Sequence, residues 1–192
     1  MQGGHYQICV SGAAKGPSVE RGAELAQSLG AAIAKAGHSL LTGATTGLPD
    51  DAATGYKKAG GKISFGLSPA SSKVEHVMKY RLPVKSYDVI LYTGLHYGGR
   101  DSLLINSCDA VVTIGGRLGT LHEFTIAAET HTPIGVLEGA GGISSQIEML
   151  LKLLPNANPD YVVFEKDPNK LIEKLTKLLD KTHSHYHRLY SD

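Results

Sequence analysis

Residues 109–129 read DAVVTIGGRLGTLHEFTIAAE, and their succession of apolar, glycine-rich and helical stretches decides the fold. Residues 110–114 form a short, continuous apolar run rich in β-branched side chains, the pattern of a strand buried on both faces. Gly115 and Gly116 follow, permitting a tight turn and close backbone approach, and Gly119 with Thr120 opens a helix that runs to Glu129. A strand that passes through glycines into a helix start brings free backbone N–H groups and the positive end of the helix dipole to one point, which suits a phosphate. Thr120 either adds a hydroxyl donor there or caps the helix. Glu123, three residues later, is either a catalytic carboxylate or the partner of Thr120 in a capping box.

The same alternation extends in both directions. Residues 6–10 read as a buried strand leaving the sheet at Ser11 and Gly12, and a helix then runs from Ser18 through Leu25, Leu29 and Ile33 to a closing Gly37. Residues 38–42 and 62–67 read as strands around a helix at 49–59, while the polar segment 68–86 reads as a long loop or short excursion. A strand at 87–92 precedes Gly98 and Gly99, after which a helix is expected from Arg100 to Ser107. Beyond the opening stretch, 134–137, 143–154, 161–164 and 168–179 repeat strand, helix, strand, helix. The expectation is an α/β, Rossmann-like, doubly wound parallel sheet of about seven strands with helices on both faces. It forms a single domain over 1–181 with a polar tail at 182–192.

Composition fits one packed core. A chain of 192 residues buries roughly 70% of its unfolded surface, and 42% hydrophobic against 19% charged residues is the balance of a globule, not of a disordered chain. A formal net charge of +1 supplies no overall field for nucleic acid or an anionic membrane, so any anion must be held locally. Cys9 and Cys108 sit in the apolar runs ICV and NSCDAVV, where they read as small buried hydrophobes of a reducing, cytoplasmic protein. The first residues lack a basic region followed by a long apolar stretch, and no run approaches the ~20 apolar residues of a membrane span. His183, His185 and His187 alternate in the tail without a cysteine or carboxylate cluster, so a docking arm is expected there and neither a metal nor a cofactor.

At GGRLGTLHE, 115–123, the chain resembles the PGGxGTxxE signature of the Lonely Guy (LOG) and "lysine decarboxylase-like" proteins, members of a wider Rossmann-like nucleotide-binding superfamily. That family carries an arginine fifteen residues ahead of the signature in a stretch written MxxRK, and Arg100 stands in that register. VSGAAKG at 10–16, the stretch from Thr42 to Pro69 and HTPIGVL at 131–137 are similar as well, so the resemblance covers about residues 6–179. The departures are Gly115 for the leading proline, Arg117 for a glycine, Asp101 for the lysine after the arginine, and HYGGR at 96–100 in place of the methionine-led stretch. They point toward LOG-like branches that include molybdenum-cofactor carrier proteins.

The resemblance implies a nucleoside 5′-monophosphate phosphoribohydrolase, which releases a free base and ribose 5-phosphate. In that reading Glu123 stabilises the oxocarbenium-like sugar or activates water, and Arg100 orients the nucleotide. The phosphate lies against Gly115, Gly116, Arg117, Gly119 and Thr120, with Gly12, Lys15 and Gly43 as further ligand contacts. The alternative is a non-catalytic carrier or sensor that holds a nucleotide or a pterin phosphate of molybdenum-cofactor type in the same cleft. Either way the resemblance implies a homodimer or a multiple of dimers. No motif supplies the lysine of a pyridoxal-phosphate enzyme, and SGAAKG lacks the third glycine of a nicotinamide site. His122, beside Glu123 on a helix, reads as facing solvent or an interface, and Asp50 and Asp51 as helix-start residues.

Overall fold

The computed structural model describes residues 4–154 and 157–184. Seven strands form one sheet: β1 (Gln7–Gly12), β2 (Ser39–Thr42), β3 (Ser64–Ser68), β4 (Val89–Tyr92), β5 (Ala110–Ile114), β6 (Ile134–Leu137) and β7 (Val162–Glu165). Their order is β4-β3-β2-β1-β5-β6-β7, and every neighbouring pair is parallel. The α/β, Rossmann-like, doubly wound sheet expected from the sequence is therefore present. Parallel strands need crossover helices, and their right-handed connections place those helices on both faces.

Among the described residues six α-helices supply the cover: α1 (Pro17–Lys35), α2 (Leu48–Lys58), α3 (His96–Asn106), α4 (Leu118–Glu129), α5 (Ile147–Leu153) and α6 (Pro168–Thr182). One core gathers Leu29, Ile33, Tyr56, Leu171 and Leu175 from α1, α2 and α6 against the sheet. The other gathers Leu104, Ile105, Phe124 and Ile147 from α3, α4 and α5 on the opposite face. All five residues of β5 are buried, as its continuous apolar run requires.

Boundaries differ from the sequence reading where glycine was taken as a breaker. Helix α3 starts at His96, so Gly98 and Gly99 lie in its first turn, where the backbone N–H groups have no partner in their own helix. The helix expected at 143–154 divides into a 3-10 turn at Gly142–Gln146 and α5. The excursion 68–86 contains a five-residue π-helix, Glu75–Lys79. It is pinned by the buried ring of His76, which lies 2.8 Å from Ser68 Oγ and 2.9 Å from the Pro83 carbonyl. His183 is the one tail histidine within the described residues, while His185 and His187 lie outside them. Among the described residues no helix is long and apolar enough to cross a membrane, and no group of three metal-ligating side chains converges.

Helices α1 and α2 touch backbone to backbone. A β-carbon placed on Gly30 would lie 1.8 Å from the Ala52 carbonyl oxygen, and one on Gly55 would lie 2.0 Å from that of Gln27. Gly30→Ala is expected to force the helices apart and cost about 3 kcal/mol or more. Gly98→Ala, at an exposed helical position with nothing near its β-carbon, should be neutral or stabilising by up to about 1 kcal/mol. Urea denaturation of the two variants checks the contrast.

Candidate functional site

Strand order reverses direction between β1 and β5, and the helices that follow these strands leave to opposite faces of the sheet. A doubly wound sheet opens a crevice at such a switch point, outside the carboxyl ends of its strands. A cavity of about 630 Å³ lies there. Gly12 at the end of β1, Lys15 in the loop after it, Gly43 after β2, and Arg117, Gly119 and Thr120 at the start of α4 all line it, together with Arg100 and Glu123.

Not every glycine of the turn after β5, where the sequence reading expects a phosphate, touches the cavity. Gly115 and Gly116 have φ of 62° and 93° and shape the turn, their carbonyls accepting from Ser144 and Ile143 N–H. Neither lines the cavity, because both are packed against protein: a β-carbon on them would lie 2.9 Å from the Ser18 Cβ and 2.2 Å from Thr120 Oγ1 respectively. Helix α4 begins at Leu118, with Arg117 as an N-cap that makes no side-chain capping bond. The first-turn N–H groups therefore have no carbonyl in their own helix and no cap. A β-carbon on Gly119 would meet no protein atom, so the space beside it belongs to the cavity.

This helix start corrects the capping-box alternative. Thr120 is the third residue of α4 and Glu123 the sixth, so Thr120 is not the N-cap and Glu123 is not its capping partner. Instead the Glu123 side chain is buried, 7% exposed, and accepts a short hydrogen bond from Ser11 Oγ at the end of β1. Burial pushes its carboxyl up to about 7. The Arg100 guanidinium opposes that rise, and the neighbouring Asp101 carboxyl reinforces it.

Arg100 reaches the same place from α3 and is 3% exposed. Its Nη1 donates to the Leu67 carbonyl at 3.1 Å. Its Nε lies 3.1 Å from Asp101 Oδ1, close enough for an ion pair, but the N–H is not aimed at that oxygen and makes no hydrogen bond. The guanidinium crosses the backbone at Gly43, where a β-carbon would fall 1.7 Å from Nη1. Gly43 is thus required by Arg100 itself. The Tyr97 ring, one helical turn earlier, lies 5.8 Å from the guanidinium carbon.

Several residues of the site were not singled out in the sequence. Asp101, noted only as a departure from the family's lysine, is 4% exposed and lines the cavity. His122 was expected to face solvent or an interface; its side chain is 47% exposed, yet Nδ1 lies 2.9 Å from Asp101 Oδ2. Tyr80, Arg81 and Leu82 reach the cavity from the excursion after β3, for which no local pattern gave a signal. Tyr97 was legible in principle, since residues three apart share a helix face with Arg100. Of the four non-glycine residues with positive φ among the described residues, Ala44 adjoins Gly43, Arg81 lines the cavity, and His96 bonds Tyr80 Oη through Nδ1 at 2.9 Å. Backbone strain of this kind collects at functional sites.

Known proteins resemble this chain in sequence and in fold. A family model described as the SLOG cluster4 family matches residues 5–172. An uncharacterized protein of Archaeoglobus fulgidus is 31% identical over 121 residues, covering 63% of this chain and 72% of that protein. The molybdenum cofactor binding protein of Rippkaea orientalis superposes with a TM-score of 0.73 at 27% identity, covering 92% of this chain and 98% of its own. The Moco carrier protein of Chlamydomonas reinhardtii gives a TM-score of 0.76 at 26% identity, covering 93% and 99%.

The raised carboxyl of Glu123 has a consequence for stability. Between the ordinary glutamate range and about 7 the folded chain binds a proton that the unfolded chain has released, so stability falls as pH rises through that window. Glu123→Gln removes the penalty. Its melting temperature relative to the unsubstituted protein should therefore improve from pH 5 to pH 8, by the equivalent of about 1–3 kcal/mol. A constant difference across that range in thermal denaturation would contradict it.

Proposed function

From its place in the SLOG cluster4 family, to which this chain belongs, we propose that it is a binding protein for a small, phosphate-bearing heterocycle of pterin or nucleotide type, held as a carrier holds its cargo. The observation that carries this reading is the division of charge in the cavity. Arg100 donates to the Leu67 carbonyl and lies within ion-pair distance of Asp101, whereas Lys15, Arg81 and Arg117 line the cavity with no ion-pair partner among the described residues. Those three cations and the uncapped start of α4 receive the phosphate. Tyr80 and Tyr97, packed edge to face with centroids 5.7 Å apart, offer an aromatic wall for the ring system. The named cargo of the Rippkaea and Chlamydomonas proteins, both alike over nearly the whole chain, supports the pterin class.

A second reading, phosphoribohydrolase action on a nucleoside 5′-monophosphate, is favoured by the convergence of Arg100 and Glu123 on one cavity. There Glu123 acts on the sugar or on water, and Arg100 orients the nucleotide. The acid in place of the family's lysine, at Asp101, engages Arg100 and weighs toward the carrier.

Assembly follows the same reading. The register of β3 with β4 pairs Phe65 with Val89 and Leu67 with Leu91. Val89 and Leu91 therefore continue the face that α3 covers, but both are exposed, as are Leu95, which caps α3, and Leu103 within it. This apolar strip supports a homodimer, and the free thiols of Cys9 and Cys108 support a reducing, cytoplasmic setting. Light scattering at micromolar concentration should give about twice the 20.3 kDa chain mass; a monomer throughout would refute the dimer.

Ligand titrations separate the two functional readings. Molybdopterin and AMP should be tested by calorimetry, with Arg117→Ala and Lys15→Ala each weakening binding by about tenfold or more. Tight binding without base release from any monophosphate supports the carrier. Base release that falls ~100-fold in Glu123→Gln at unchanged affinity establishes the hydrolase instead.

A further inference from the structure

The loop between β2 and α2 is fastened at every threonine but one. Thr42 Oγ1, at the end of β2, donates to Tyr87 Oη at 2.9 Å and accepts from Ala44 N–H at 3.0 Å. Thr46 Oγ1 donates to the Ala14 carbonyl at 3.0 Å, and Leu48 N–H donates to that of Ala13 at 2.9 Å, so the loop is tied to the one after β1. Thr45 lines the cavity and is 8% exposed, yet its hydroxyl has no hydrogen-bond partner among the described residues. Nor is that hydroxyl sealed inside the protein: among the described residues the unpartnered side-chain atoms closed off from solvent are Asp50 Oδ1 and Arg100 Nε. It therefore opens onto the cavity. A polar group withdrawn this far from water is ordinarily bonded, and this one can find a partner only in what enters.

The strand order says which part of a ligand Thr45 meets. From β4 to β5 the sheet runs β4-β3-β2-β1-β5, and the cavity takes lining residues after each strand in turn: Tyr97 after β4, Tyr80 after β3, Thr45 after β2, Lys15 after β1 and Thr120 after β5. Strands β2 and β5 flank β1, so their ends lie two strand spacings apart, about 10 Å. In this order Thr45 falls between the aromatic residues and the phosphate site at the start of α4. The start of α2 beside it is no second anion site. Leu48 N–H is given to Ala13, Pro49 has no N–H, and the carboxyls of Asp50 and Asp51 occupy the first turn, whereas the first turn of α4 holds none. The group that meets Thr45 is accordingly uncharged.

We propose that Thr45 is a specificity-determining residue of the cavity, and that its hydroxyl bonds an uncharged hydroxyl or N–H on the link that joins the ligand's phosphate to its ring. This role rests on the phosphate-bearing heterocycle proposed above and adds a demand to it: the link must be polar, not a plain hydrocarbon chain. The sugar of a nucleotide meets that demand through its hydroxyls, and the partly reduced ring system of a pterin cofactor through its N–H groups.

The test is calorimetric titration of the unsubstituted protein, Thr45→Val and Thr45→Ser with AMP, molybdopterin and inorganic phosphate. Thr45→Val keeps the shape and loses the hydroxyl. It should weaken AMP or molybdopterin, whichever the unsubstituted protein binds more tightly, by about five- to tenfold, and leave inorganic phosphate unchanged. Thr45→Ser, which keeps the hydroxyl, should restore most of the loss. Where AMP is the tighter ligand, one of 2′-deoxy-AMP and 3′-deoxy-AMP should bind the unsubstituted protein as weakly as AMP binds Thr45→Val. Thr45→Ala takes the place of Thr45→Val if that variant does not fold. Unchanged affinity without the hydroxyl would overturn the proposal and leave the phosphate-heterocycle reading standing. An equal loss of inorganic phosphate would overturn it as well, since Thr45 would then be a phosphate ligand. Binding of neither AMP nor molybdopterin by the unsubstituted protein would overturn both.

Discussion

The pairing of β1 with β5 is the constraint on which the rest of the molecule depends. Its register runs from Ile8 against Ala110 to Gly12 against Ile114, so both strands reach the same edge of the sheet together. Because β1 also pairs with β2 on its other side, the connections after β1 and β5 must turn away from each other, and α1 and α4 cover opposite faces. The crevice between those departures cannot be filled by either helix. Gly12 and the Gly115–Gly116 turn let the backbone curve at this edge with no side chain blocking it: a β-carbon on Gly12 would sit 2.9 Å from the Ile114 carbonyl oxygen.

What lines the crevice is costly to keep there. Arg100, Asp101 and Glu123 are withdrawn from water, and burying ionisable groups is unfavourable unless they are paired and hydrogen-bonded. The structure meets that cost with bonds from several elements: the Leu67 carbonyl for Arg100, Ser11 for Glu123, and His122 for Asp101. Gly43 contributes by having no side chain, which leaves the guanidinium its path across the end of β2. The cluster is therefore a joint property of β1, β2, β3, α3 and α4.

Near the mouth the fold tolerates strain as well. Arg81 holds a left-handed backbone conformation without being glycine, next to Tyr80, whose hydroxyl meets His96, itself left-handed. These residues belong to the excursion after β3 and to the start of α3. Tyr80, Arg81 and Tyr97 thereby line the same cavity as the start of α4.

Much of this was legible in the sequence, and the reasons are local. Continuous apolar runs such as AVVTI at 110–114 name buried strands by themselves, and glycines at strand ends followed by helical periodicity name the turns; together they dictate a doubly wound sheet. The nearness of Arg100, Glu123, Lys15, Gly12 and Gly43 was anticipated by resemblance, and the cavity brings them together. The roles of Gly115 and Gly116 were not, because sequence cannot say whether a turn glycine frees space for a ligand or only for its own chain. Nor could it separate a cap from a buried acid at Glu123, since that depends on a helix start two residues earlier than the glycine pattern implied. The partnership of Asp101 with His122 lies beyond any local pattern. Residues 21 positions apart on different helices meet only because α3 and α4 pack side by side on one face, and the rise of the Glu123 carboxyl is set by desolvation, which exists only once the chain is folded.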